Sequence, residues 1–143
     1  MILSAQALFS DDQAITATAI STNVVDLGAA ATPYGGAAAL TQDIGKGAKV
    51  PLLIQVTQAF NNLTSLAIAV EVGATTALGA VLETQTILLV NLTVGARSVF
   101  VEVPEGTDAR YLGIRYTVNG AAPTTGMITA GISAGNQTNV TGA

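Results

Sequence analysis

Apolar and polar residues alternate with a period of two along most of the second half of the chain. The clearest run is Arg110 to Gly120, where Leu112, Ile114, Tyr116 and Val118 share one face and Tyr111, Gly113, Arg115 and Thr117 the other. That alternation predicts a half-buried β-strand, with aliphatic groups turned to a core and polar ones to solvent or a partner. Asn119-Gly120 supplies a chain reversal, and Pro123 and Gly126 bound the loop. A second alternating run carries Ile128, Ala130 and Ile132 on one face, so the two runs predict a hairpin with a long loop, Asn119 to Gly126.

Other stretches give the same signal. Leu52, Ile54 and Val56 oppose Leu53, Gln55 and Thr57, while Leu66, Ile68, Val70 and Val72 oppose Ala67, Ala69 and Glu71. Val81 to Leu92 is apolar with threonines and predicts a strand buried on both faces. Val99, Val101 and Val103 predict a strand stopped by Pro104-Glu105-Gly106. Near the start, Ala14 to Ile20 predicts a strand, followed by a tight turn and a short strand at Val24 to Leu27.

Residues 29–49 lose the pattern. Pro33, Gly35, Gly36, Gly45 and Gly47 interrupt any helix, and a loop of this length points to function. The N-terminal residues 1–10 read as an arm without strand pattern, and 133–143 as a polar tail. About eight short strands with turns between them predict an all-β fold, a single jelly-roll β-sandwich domain over 1–143. An immunoglobulin-like sandwich is the alternative.

Composition narrows the chemistry. The 143 residues include no Cys and no His, which excludes disulfides, thiolate or imidazole metal sites and Ser-His-Asp or Cys-His nucleophiles. No enzyme, metal or other cofactor is expected. Charged residues make up 10% against about 25% in ordinary soluble proteins, so part of the surface is expected to be covered by neighbours. A net charge of −4 without a basic cluster argues against nucleic acid. No apolar run approaches the ~20 residues of a membrane helix, and residues 1–10 lack the basic start of a signal peptide, so neither membrane insertion nor export is expected.

Several candidate motifs reduce to plainer readings. Asp11-Asp12 reads as a solvated pair, and Glu71, Glu83 and Glu102 lie in separate strands with little aromatic surface to stack a sugar. Gly45-Lys46-Gly47-Ala48-Lys49 lacks phosphate-loop spacing, and the Asn-x-Thr triplets at Asn62, Asn91, Asn136 and Asn139 suit a threonine-rich chain. Contact residues are the better candidates. Tyr34 is the lone aromatic of the long loop and Arg115 lies on the outward face of its strand, both types enriched at interface centres. Ile2, Leu3, Leu8, Phe9, Leu40 and Ile44 are apolar residues in segments without strand pattern, expected to become buried against a partner.

Taken together, Leu8 to Ala14 running into Ala19 to Gly28, Val103 to Gly106, Arg110 to Tyr116 and Gly126 to Gly131 resemble the small cement, or decoration, proteins on the capsids of tailed bacteriophages. The resemblance implies a jelly roll that binds the exterior of an HK97-type icosahedral shell, with the major capsid protein as partner. It further implies self-association, a dimer in preference to a trimer, and no catalysis. Synthesis in the host cytoplasm and residence on the virion follow from it. It transfers no functional residue position by position. A carbohydrate-binding, lectin-like sandwich is the alternative function, and a pilus-like subunit would require an export signal.

Overall fold

A computed structural model describes residues 3–40, 43–47, 49–97, 100 and 102–134. Eight strands form two antiparallel sheets: β1 (Leu3–Ala14), β2 (Ala19–Ile20), β3 (Val25–Asp26), β4 (Leu52–Gln58), β5 (Leu63–Gly73), β6 (Ala80–Leu88), β7 (Tyr111–Gly120) and β8 (Met127–Ser133). One sheet runs β1-β8-β4. The other runs β2-β7-β5-β6, with β3 also paired to β7. A single 3-10 turn, Leu89–Asn91, follows β6.

The pairing pattern is that of a jelly roll. Outside the named strands, Arg97 bridges Gln55 of β4 and Glu102 bridges Pro51 just before it, both antiparallel, and these two bridges hold the sixth place in the pairing order. With β2 and β3 taken as one interrupted strand, the first strand pairs with the last, the second with the seventh, the third with the sixth and the fourth with the fifth. The chain is thus a long hairpin rolled into a sandwich.

The alternating runs determine which faces meet. From β5 and β7, Leu66, Ile68, Val70, Val72, Leu112, Ile114 and Tyr116 enter the core; from β4 and β8 come Leu52, Ile54, Val56, Ile128 and Ala130. Each of these is at most 4% exposed. Full burial of one such aliphatic side chain stabilises by about 1.5–3 kcal/mol, which makes these faces the main source of cohesion. Across the sandwich the Tyr116 hydroxyl lies 2.9 Å from Ser10 Oγ on β1, and Ser10 donates to Gln13 Oε1 at 2.7 Å. Because Ser10 spends its proton on Gln13, Tyr116 is the donor to Ser10. Burial holds the Tyr116 phenol well above its ordinary pKa, so it stays protonated.

Four expectations need correction. Residues 3–10 are not an arm: they form most of β1, an edge strand paired with β8 from Leu3↔Ser133 to Ala14↔Met127. Three register breaks and two adjacent acids mask its alternation. Residues 15–18 are not strand but the corner between sheets, where Ile15 is fully buried and donates its N–H to Gly126 O. β7 and β8 make no hairpin, since they lie in opposite sheets and the loop between them crosses the sandwich. Asn61 holds that loop by accepting from Thr124 N and Thr125 N, and Gly126 (φ 137°) passes so close to the Phe60 ring that a Cβ would overlap it. Finally, β6 is an edge strand, mostly exposed, rather than a strand buried on both faces. The expected 99–103 strand falls partly outside the described residues; of the expected tail 133–143, Ser133 instead ends β8 and is buried, and the residues from 135 lie outside the described ones.

Deleting residues 1–10 should therefore lower stability. It removes Phe9, 1% exposed, whose loss alone costs about 3–5 kcal/mol. Urea denaturation followed by circular dichroism should show a markedly lower midpoint; an unchanged midpoint would contradict this placement of β1.

Candidate functional site

The segment between β3 and β4 leaves the sandwich as a loop that is uncharged from Gly28 to Gln42 and exposed throughout 29–40. Both of its feet stand on the stretch that precedes β7. At the first foot, Asp26 takes the Arg110 guanidinium side-on, with Nε 3.0 Å from Oδ1 and Nη2 2.8 Å from Oδ2. Its Oδ1 also accepts from Gly28 N at 2.8 Å, and Leu27 N donates to Arg110 O at 2.7 Å. The guanidinium rests 5.1 Å from the Tyr111 ring centroid, a cation–π distance.

The second foot is a carboxylate clamp. Asp43 accepts from Gly106 N at 2.9 Å, from Gly45 N and Thr107 Oγ1 at 3.1 Å and from Thr107 N at 3.3 Å. The buried Thr107 hydroxyl in turn accepts from Ile44 N at 2.7 Å. Gly45 lies so close to the Pro104 carbonyl that any side chain there would displace the loop. Ile44 tucks beside the core, so it fastens the loop rather than facing a partner.

Between the feet, Pro33-Tyr34-Gly35-Gly36 forms a turn closed by Gly36 N to Pro33 O at 2.9 Å, with Gly35 at φ 79°. Positive φ at the third turn position is what glycine permits without strain. A further bond, Leu40 N to Ala31 O at 3.1 Å, ties the two limbs. The consequence is a presented tip: Tyr34 projects fully into solvent and Leu40 is 61% exposed.

The other candidates sort by burial. Phe9 is in the core, while Leu3 and Leu8 are half-buried on β1, with Leu8 against Gly131. Ile2 lies outside the described residues. Arg115 does lie on the outward face, yet its Nε is 2.8 Å from Glu71 Oε1 and its Nη2 donates to Ala77 O at 3.2 Å. Its role is to neutralise Glu71, whose side chain is 4% exposed. Four exposed apolar residues were not singled out from the sequence: Val81, Leu88, Val90 and Val94 on and after β6. The polar Glu83, Thr84, Gln85 and Thr86 between them were the available sign that this stretch is not interior.

Among the described residues no group of three or more carboxylates, imidazoles or thiols is placed to hold a metal ion, and no helix is long and apolar enough to cross a membrane. The polar groups around the loop build a mount, and what the mount offers is shape and apolar surface.

Two outcomes follow. Truncating Arg115 to Ala should destabilise by about 1–3 kcal/mol, below the 3–5 of a fully buried pair because the arginine is about a third exposed. Urea midpoints measure this, and an unchanged midpoint would mean that Glu71 does not need its partner. The second outcome concerns acid. Hydrogen bonds from Arg110 and Gly28 lower the pKa of Asp26, and those led by Gly106 N lower that of Asp43, from 3.8 in both cases. A depressed folded pKa means the contribution is complete above about pH 3.8 and is lost as pH falls through the lower folded value. The Gly45 and Gly106 amide resonances should therefore titrate with a midpoint below 3.8; one at or above it would contradict the clamp.

No curated protein matches the chain. A family model described as Bbp16 matches residues 9–132, from Phe9 in the middle of β1 to Ile132 of β8, and so takes in most of the sandwich and the mounted loop. The chain belongs to the Bbp16 family.

Proposed function

We propose that this protein is a virion structural component: a cement protein that binds the exterior of an HK97-type icosahedral phage shell and bridges joints between major capsid subunits. It works as an oligomer and performs no catalysis. The observation that carries this reading is the uncharged loop presenting Tyr34 and Leu40 on a two-footed mount. A free surface loop is ordinarily polar, and an exposed tyrosine on an anchored loop can enter a partner's pocket with little further ordering cost.

The low charge of the chain fits a protein whose surface is shared with neighbours. Cementing requires contact area, on the order of 1,600 Å² for a standard interface, and repetition over a symmetric lattice multiplies modest contacts. The sandwich supplies a rigid base for such contacts. The lectin-like alternative has less support, because Phe9, Phe60, Phe100 and Tyr116 are buried in the core and not spread over a concave face.

The test is binding to shells assembled without this protein. The double variant Tyr34→Ala/Leu40→Ala touches no core contact, so its melting curve should match the parent to within about 0.5 kcal/mol. Its occupancy on shells, read by co-sedimentation, should fall at least about tenfold, since truncated central anchors cost about 2 kcal/mol or more. Full occupancy by the double variant would remove the loop from the interface. Failure of the parent protein to bind any such shell would remove the function.

A further inference from the structure

A depression of about 350 Å³ lies at the first foot of the loop mount, lined by Ala29, Ala30, Ala74, Asp108, Ala109 and Arg110. Three segments meet there: the first limb of the loop, the connection that follows β5, and the stretch before β7 on which both feet stand. The pairing order brings them together. Tyr111 of β7 has Asp26, the first foot, on one side and Gly73, the residue before Ala74, on the other. Ala29, Ala30, Ala74 and Asp108 are all exposed, so a partner can reach them.

The walls of this depression are mostly methyl groups, and its charges do not cancel. Arg110 is committed to Asp26, which takes Nε and Nη2 together, so that pair is neutral as a unit. Asp43 at the other foot is satisfied by backbone and hydroxyl donors. Asp108 has no such arrangement. Its N–H donates to Gly106 O at 2.7 Å, a tight turn that fixes its backbone, and among the described residues its carboxylate has neither an ion pair nor a hydrogen bond. A negative charge is left over beside apolar walls, which focus its field.

We propose that this depression receives a lysine or arginine side chain of the shell protein, its aliphatic stem along the four alanines and its cation on the Asp108 carboxylate. Long basic side chains bury their stems on apolar surface while the charged head keeps a polar partner, and a charge-assisted bond to a carboxylate is among the stronger ones. Charge complementarity selects this occupant. An anionic group would be repelled by Asp108 and would find Arg110 already neutralised. A purely apolar group would desolvate Asp108 without giving it a partner. The inference rests on the reading of the protein as a shell-binding cement and adds a second contact to it: the loop tip sends Tyr34 outward, and the base of the same loop takes a group in.

The test uses the full chain on shells assembled without it, with occupancy read by co-sedimentation at about 50 mM and about 500 mM sodium chloride. Asp108→Asn keeps the shape and removes the charge; it should raise the dissociation constant about fivefold at low salt and flatten the salt dependence. Asp108→Lys should raise it at least about tenfold at low salt. Ala74→Leu fills the depression from outside the loop and should weaken binding about fivefold or more at both salt concentrations. Melting curves of all three should match the parent, and a lowered curve for Asp108→Asn would overturn the proposal by showing that the carboxylate has a structural partner. Parent-like occupancy by Asp108→Asn and Asp108→Lys at low salt would overturn it while leaving the loop tip as the shell contact. If Asp108→Lys changed sedimentation of the free protein and left shell occupancy unaltered, a second copy would be the occupant and the proposal would fall. A parent that binds no shell would overturn the cement reading, and this site with it.

Discussion

The structure depends on the contact between two apolar faces, that of β5 and β7 against that of β4 and β8. Leu66, Ile68, Leu112 and Ile114 meet Leu52, Ile54, Ile128 and Ala130 at almost zero exposure. With six aromatic residues in 143, the core is built almost entirely of branched aliphatics, which pack densely through well-defined rotamers. No disulfide is available to assist. Everything at the periphery, including the loop mount and the edge strand β6, borrows its rigidity from this contact.

The mount shows how polar chemistry is used where apolar packing ends. Asp26 and Asp43 each receive hydrogen bonds from backbone and side chain, and the donors come from the short stretch 106–110 and from the glycine two residues after each carboxylate, Gly28 and Gly45. Fixing both feet on one stretch shortens the effective loop and reduces the entropy that binding would remove. Arg115 and Glu71 serve a different purpose: an outward-facing carboxylate sealed beneath the β5–β6 connection needs its cation.

Alternation was legible wherever a strand packs one face on the core, as in Leu52–Val56, Leu66–Val72 and Leu112–Tyr116. It failed where a second constraint intervened. The register breaks of β1 scramble its period, and so residues 3–10 read as irregular and Phe9 as a contact residue, although it is buried. β6 read as interior because Ile87 to Val90 form an apolar run, yet β6 is an edge strand: Ile87 and Leu89 pack against the core while Leu88 and Val90 are more than half exposed. Local sequence could not say that β7 and β8 part company, since a crossing loop and a hairpin loop use the same Asn, Gly and Pro residues. Of the seven contact candidates among the described residues, Tyr34 and Leu40 are the two that stand free, and both come from the segment where strand pattern and charge vanish together.

The central claim is that the mounted loop is the part of this protein that meets the shell. Hydrogen exchange on shell-bound and free protein addresses it directly. The account predicts that amides of 29–40 exchange more slowly on the shell while those of β5 and β7 keep the rates of the free protein. Loop amides that exchange at the free rate on fully occupied shells would contradict it.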